Sequence, residues 1–207
     1  FERQLFEDGV VFVKYWLHNG FLDIEGEKMS KSLGNFLMVK DIIGKYDPMA
    51  IRIFFLLKHY HSPIDFSEER IKEAKAAFDR LRNAYAKMVR VIGNKHDTTT
   101  TDDLSESVRD IEANRESMIE ALDDDFNTAK AMGHLFEIAR LVNSTVKTDT
   151  AAYAVMAKAK DIFDTIGAEV FGLAFEAAAA NDTVVDDLVR LFIDLRTEAR
   201  KDRNWKL

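Results

Sequence analysis

From residue 47 onward, apolar positions recur at spacings of three and four, the period of a helix with one buried face. The clearest stripe is Ile71, Ala74, Phe78, Leu81, Tyr85, Met88, Val89 and Ile92. It predicts one long helix, opened by Ser67 as N-cap and closed at Gly93-Asn94. Before it, residues 50–60 are apolar on most sides, with Ile51, Ile53, Phe54, Phe55, Leu56 and Leu57. They predict a deeply buried helix. Asp47 caps it, Pro48 takes its first position and Pro63 stops it. Further on, Val108, Ile111, Met118, Ile119 and Leu122 share a face of a helix that begins near Leu104. Residues 123–128 (Asp-Asp-Asp-Phe-Asn-Thr) interrupt the pattern. Asn127 or Thr128 then caps a helix with the stripe Met132, Leu135, Phe136, Ala139, Val142 and Val146, and Phe126 is expected to pack on its first turn. Another helix runs over 150–166 and stops at Gly167; residues 168–181 read as irregular. Asp182 or Thr183 caps a last helix through Leu188, Leu191, Phe192, Leu195 and Ala199. Four or five such helices with short connections predict an antiparallel bundle.

The first part of the chain follows no helical period. Residues 9–18 form an apolar run that reads as either a buried helix or a buried strand, since periodicity does not separate the two over so short a stretch. Tyr15 and Trp16 are read as core residues. Asn19-Gly20 marks a turn, residues 21–24 a short strand and Glu25-Gly26 a tight turn. Residues 27–35 are polar and read as a loop. A second loop, residues 95–103 with four consecutive Thr, is the candidate domain boundary.

Composition narrows the picture by exclusion. The 207 residues contain no Cys, so a disulfide scaffold, a thiolate zinc site, an iron–sulfur centre and a cysteine nucleophile are excluded within this chain. No apolar run is long enough to cross a membrane, and no secretory signal opens the chain. The first residue is Phe and not Met, which suggests a fragment. The net charge of −7 is unevenly spread, at +3 over residues 1–96 and −10 over residues 97–207. Overall acidity disfavours a nonspecific grip on nucleic acid, but leaves room for a local basic surface.

Candidate chemistry is concentrated in Lys28-Met29-Ser30-Lys31-Ser32. Two ammonium groups and two hydroxyls on a loop that ends in Gly34-Asn35 suit a polyphosphate, because lysine is a point charge able to follow phosphoryl oxygens as they move; judged by charge alone, a solvated surface loop is the competing reading. The P-loop pattern is absent. The same five residues match the KMSKS signature of class I aminoacyl-tRNA synthetases at every position. Tyr15-Trp16-Leu17-His18-Asn19-Gly20, Leu33-Gly34-Asn35, Tyr46-Asp47-Pro48, His59-Tyr60-His61-Ser62-Pro63 and Asp124-Asp125-Phe126-Asn127-Thr128 follow in an order that resembles cysteinyl-tRNA synthetases. The resemblance runs from about residue 10 to the end.

That resemblance implies a mainly α fold: a remnant of a class I Rossmann-type catalytic domain with the KMSKS loop, followed by a helical tRNA-binding bundle. The expected divisions are 1–45 for the end of the catalytic domain, 46–66 for a stem-contact connection and 67–207 for the bundle. The family activates cysteine with ATP, accompanied by Mg2+, and passes the cysteinyl group to tRNA(Cys). Matched to the motif, Lys31 is the lysine expected at the ATP phosphates and Lys28 its supporting cation, while Met29, Ser30 and Ser32 shape the loop near the adenosine. A cytoplasmic protein is expected, with no membrane partner.

The family's HIGH-type adenine motif has no match here, and its zinc ligands lie upstream of the segment matching Tyr15-Trp16. Glu2 and Glu7 fall near the last of those ligands, but the sequence around them departs from the family's run, so no metal ligand is assigned. A central-to-C-terminal piece, inactive by itself, is therefore expected. His59 and His61, with Asp65 nearby, are weighed as a metal group and set aside, because two histidines two apart in a helix face different sides. Asp123, Asp124 and Asp125 are read as favouring the positive end of the next helix. Lys72, Lys75, Arg82 and Lys87, with Arg196, Arg200, Lys201, Arg203 and Lys206, are candidate tRNA contacts; the competing reading is intrahelical pairing such as Glu68 with Lys72. Two other functions stay open: the homologous mycothiol-pathway cysteine ligase, and a non-catalytic helical module that binds RNA or protein.

Overall fold

The structure is a computed structural model. It describes residues 13–24, 26–30, 32, 34, 36–93, 102–145, 152–176 and 193, with the backbone alone at 102–105, 145 and 152. The chain divides into two compact units, Phe1–Phe175 and Glu176–Leu207, and the strands and helices below all belong to the first. The last helix expected after residue 182, Val146 and most of the 95–103 loop lie outside the described residues.

Three short strands build a small sheet in the order β2-β1-β3. They are β1 (Leu22–Ile24), β2 (Glu27–Lys28) and β3 (Ile64–Phe66). β1 and β2 form a hairpin with Ile24 opposite Glu27, and Gly26 takes a φ of 82° there, a conformation open to a residue without Cβ. β1 and β3 run parallel, with Leu22, Asp23 and Ile24 opposite Ile64, Asp65 and Phe66. The crossover between them carries α1 (Val39–Lys45) and α2 (Pro48–Leu56). Such a parallel pair joined through helices is the unit from which α/β catalytic domains are made.

Four helices then form the bundle: α3 (Glu68–Gly93), α4 (Asp102–Asp123), α5 (Thr128–Thr145) and α6 (Ala152–Ile162). α6 passes directly into a π-helical segment, Phe163–Val170. α4 packs on α5 and α6, α3 on α5 and α6, and α2 lies along α3. One continuous apolar core joins α2, the sheet and the bundle. Leu81, Met88, Ile111, Met118, Met132, Leu135, Ile138 and Met156 are fully buried in it. Each such side chain contributes about 1.5–3 kcal/mol by leaving water. Phe175 folds back into the bundle, with its ring 5.2 Å from Tyr85 and 5.0 Å from Phe163.

The local signals act largely as the sequence suggests. The Asp47 carboxylate accepts the Met49 N–H at 2.9 Å, with Pro48 at the first helical position. The Ser67 hydroxyl accepts from Arg70 N–H at 3.4 Å. Asn127, and not Thr128, supplies the α5 cap, accepting the Lys130 N–H at 3.0 Å.

Several expectations are corrected. The helix over 50–60 ends at Leu56, and only Ala50, Ile53 and Phe54 are buried on it; Phe55 is 47% exposed. A run apolar on all sides carries no marker of which side meets the core. Residues 13–18 form neither helix nor strand, and Tyr15 and Trp16 are exposed, because no described element lays an apolar face over them. Asn19-Gly20 is not a turn: Gly20 lies against the backbone of Ser62. Glu27–Lys28 is strand, not loop. α1 has no signal in the sequence, since Met38 at its N-cap makes no side-chain cap bond and none of its residues is buried. Gly167 does not end a helix; it lies buried inside the π-helical segment, where a Cβ would meet the Phe175 ring at 2.8 Å. Val89, Ile119 and Phe126 are exposed.

Candidate functional site

The lysine loop leaves the sheet at β2. Lys28 is the last strand residue, opposite Asp23, and the Met29 N–H donates to the Leu22 carbonyl at 3.0 Å, which extends the hairpin by one bond. The Lys28 ammonium stands 3.6 Å from the centroid of the Phe21 ring, a cation–π contact. Ser30 and Ser32 are bonded to each other through their hydroxyls at 3.0 Å, which bends the loop back on itself. Gly34 takes a φ of 71° beyond them. The hairpin is tied to β3 by the Gly26 N–H, which donates to an Asp65 carboxylate oxygen at 3.2 Å. Lys31 lies outside the described residues.

A second cluster brings distant residues together. The segment after α2 is a turn and not a helix, held by the Ser62 N–H on the His59 carbonyl at 2.9 Å and the Gly20 N–H on the Tyr60 carbonyl at 2.7 Å. Against it lies the α4–α5 connection, where Asp125 and Phe126 have φ of 56° and 52°. The Tyr60 hydroxyl donates to Asp125 Oδ1 at 2.7 Å, and this carboxylate raises the Tyr60 phenol above its ordinary range. Asp125 Oδ2 lies 3.8 Å from His59 Nε2 and 3.4 Å from His61 Nδ1. So Asp125, and not Asp65, joins the two histidines. Asp65 instead holds Gly26 and Arg70. Sequence spacing gave no sign of a partner some sixty residues away.

Three of the four candidate basic positions of α3 are engaged on its own surface or near it. Lys75 and Arg82 both pair with Asp79, at 3.1 and 2.9 Å, and Lys87 donates to Asn143 at 3.4 Å. Glu68 does not take Lys72 as its ion-pair partner. It accepts from Lys45 and from the Tyr46 hydroxyl, and these two bonds, with the Lys45 charge, hold its carboxyl below the usual carboxylate range. The same pair holds the Lys45 ammonium above its ordinary range.

Between the lysine loop, α1, α2 and the α4–α5 connection lies an apolar cleft of about 650 Å³. Met29, Leu37, Ile43, Phe55, Phe126 and Val170 line it, together with Arg52, the one charged side chain among the described residues that line it. Arg52 spans to the far wall, where it donates to the Phe171 carbonyl at 3.4 Å and passes over Gly172. The exposed faces of Phe55 and Phe126 are thus accounted for: both border this cleft.

Comparison with known proteins agrees with this arrangement at both ends of the chain. Residues 3–76 match the family model of the tRNA synthetases class I (C) catalytic domain, and residues 117–176 match the DALR domain. The chain is 42% identical over 200 residues to a cysteine–tRNA ligase of Bacillus velezensis, covering 96% of this chain and 41% of that protein. It is 41% identical over 208 residues to a cysteine–tRNA ligase of Thermococcus onnurineus, again over 96% of this chain and 42% of the relative. Among solved structures, the LeuRS of a LeuRS–tRNA–LeuAMS ternary complex from Agrobacterium radiobacter K84 shares the fold, with a TM-score of 0.59 over 78% of this chain and 22% of that one at 16% identity. The chain therefore spans about two fifths of the length of the relatives it matches. With a class I synthetase catalytic segment and a DALR segment in the same order, and about 40% identity along nearly its whole length, this chain belongs to the cysteine–tRNA ligase family of class I aminoacyl-tRNA synthetases.

Proposed function

We propose that this chain is part of an enzyme that activates cysteine with ATP and transfers it to tRNA(Cys), and that Lys28 to Ser32 are its ATP-phosphate loop. The observation that carries the reading is the KMSKS string itself, which leaves a strand edge beside a parallel β-pair inside the matched catalytic segment. In the first step a cysteine carboxylate oxygen attacks the α-phosphorus of ATP. The bond from that phosphorus to the bridging oxygen breaks, and pyrophosphate leaves. In the second, a ribose hydroxyl of the terminal adenosine attacks the aminoacyl carbonyl and AMP leaves.

Lys31 and Lys28 neutralise charge that grows on the departing pyrophosphate. Fixed charge aimed at the transition state is usually the largest catalytic contribution. Phe21 holds the Lys28 ammonium beside the loop, and the Ser30–Ser32 bond sets the loop's curvature. Mg2+ is expected with the ATP, and no residue of this chain is assigned to it. The zinc expected in the parent enzyme has no ligand assigned within this chain, which has no Cys. Residues 1–45, 46–66 and 67–207 are proposed as the end of the catalytic domain, the stem-contact connection and the tRNA-binding bundle; α1 ends at Lys45, β3 at Phe66 and α3 begins at Glu68, which supports these limits. A cytoplasmic site of action goes with protein synthesis. The chain alone is expected to be inactive, since the adenine-binding motif is not within it.

The test is kinetic. In the complete enzyme, Lys31→Ala should slow cysteine-dependent ATP–pyrophosphate exchange by a factor on the order of 10²–10³, with a smaller change in KM for ATP, as expected when an interaction strengthens in the transition state. Unchanged exchange kinetics would exclude the lysine assignment. Failure to charge tRNA(Cys), with cysteine joined instead to an amino sugar, would move the protein to the mycothiol-type ligases.

A further inference from the structure

We propose that His59, His61 and Asp125 form a binding site for a divalent d-block ion of the zinc or cobalt type, which clamps the turn after α2 to the α4–α5 connection. The three side chains come from segments more than sixty residues apart, and one donor atom from each lies within 4.8 Å of the others.

The spacing suits such an ion. An ion bonded at about 2.0–2.1 Å in a tetrahedral arrangement holds its donor atoms about 3.3 Å apart. Asp125 Oδ2 stands 3.4 Å from His61 Nδ1 and 3.8 Å from His59 Nε2, and rotation of the two rings has to bring the whole donor set, now within 4.8 Å, to that spacing. Two imidazoles and one carboxylate select a borderline ion over Mg2+ or Ca2+, which take oxygen donors. The exposure of His61 and Asp125, each about half open, leaves the fourth position to water.

The surroundings hold the donors in place before any ion arrives. Tyr60 occupies Asp125 Oδ1 at 2.7 Å and so turns Oδ2 toward the two rings. An outer hydrogen bond of this sort fixes a ligating carboxylate and typically changes metal affinity 10–100-fold. Asp125 itself is held at a φ of 56°, which few residues with a Cβ adopt, by the Phe126 N–H on the Leu122 carbonyl and the Asn127 N–H on the Ala121 carbonyl, at 3.1 and 2.9 Å. Thr128 donates to the Lys58 carbonyl at 3.4 Å and ties the two segments together beside the cluster. One contact opposes loading: the His61 N–H points at His59 Nδ1 at 3.3 Å, so the free ring carries its proton on Nε2. Binding through Nε2 moves that proton to Nδ1 and gives up this long bond.

The experiment is a titration of the 207-residue chain with Co2+ and then Zn2+. One equivalent of Co2+ should bind with visible ligand-field bands, and Zn2+ should displace it; the thermal midpoint should rise with Zn2+. His61→Ala, a change at a half-exposed side chain, should keep the helical circular dichroism and lower the affinity at least 100-fold. Tyr60→Phe, which removes no donor atom, should lower it about 10–100-fold. His134→Ala, at a ring bonded to Asn114 elsewhere, should leave binding unchanged. Absence of stoichiometric binding, equal affinity in folded His61→Ala, or loss of binding in His134→Ala would each overturn the site.

Discussion

Gly20 sits where the chain passes so close to Ser62 that a Cβ would lie 2.4 Å from that residue's carbonyl carbon and oxygen. The obstruction is backbone, which has no far end to swing away. Gly20→Ala must therefore separate the N-terminal segment from the turn that carries Tyr60, and it should cost about 1–3 kcal/mol, read as a lower urea midpoint with an unchanged slope. It should also weaken the 2.7 Å bond from the Gly20 N–H to Tyr60. Sequence alone reads the same glycine as a turn residue, because close approach leaves no trace in a dipeptide. The lysine loop is the opposite case: its five residues are legible in the sequence as a match to the KMSKS signature, although their charge alone fits a solvated loop as well. The contact of Lys28 with Phe21 was not legible, since nothing in the order of residues says that the hairpin folds one over the other.

At the scale of elements, caps were readable, and so were the ends of α3 at Gly93 and α4 at Asp123, whereas the end of α2 at Leu56 and the role of Gly167 were not. Asp47, Ser67 and Asn127 act within three residues of themselves, so their roles follow from local chemistry. Gly167 has two competing meanings. Gly→Ala in a helix interior gains up to about 1 kcal/mol of propensity. Here the new methyl meets the Phe175 ring at 2.8 Å, and that ring is wedged against Tyr85 and Phe163, so overpacking at about 1–3 kcal/mol wins. Gly167→Ala should lower the thermal midpoint, and raising it would contradict this packing.

The junction of α1 with α3 gives a pH prediction. The Lys45 and Tyr46 bonds lower the Glu68 pKa in the folded state below its ordinary value of 4.5. A carboxyl lowered on folding adds stability above its unfolded pKa, and that stability is lost as pH falls through the folded pKa. Glu68→Gln should therefore destabilise at pH 7, and the difference from the parent should fade in acid below pH 4.5. The pair is exposed, so the effect should also shrink with added salt.

At the scale of the molecule, the first unit is held by one apolar core that reaches from α2 and the sheet through all four bundle helices. Leu135, fully buried at its centre, should report on all of it. Leu135→Ala is expected to cost about 2–5 kcal/mol. For a chain of this size that lowers the thermal midpoint by roughly 5–15 °C, in a single transition. Separate melting of the sheet and the bundle would show that they do not share a core. No described helix is long and apolar enough to cross a membrane, in line with the composition.

The sequence by itself determined the existence of α2, α3, α4 and α5 and most of their buried faces, because helical period and caps are local properties of neighbouring residues. It also pointed to the family, because the KMSKS string and the segments around it match that family in residue type and order. Only the tertiary structure decided that Phe55 and Phe126 border an open cleft, that Glu68 takes Lys45 from α1, and that Asp125 meets His59, Tyr60 and His61. Each of these joins residues far apart in the chain. Such pairings follow from how helices and strands pack in space, and no spacing along the sequence encodes them.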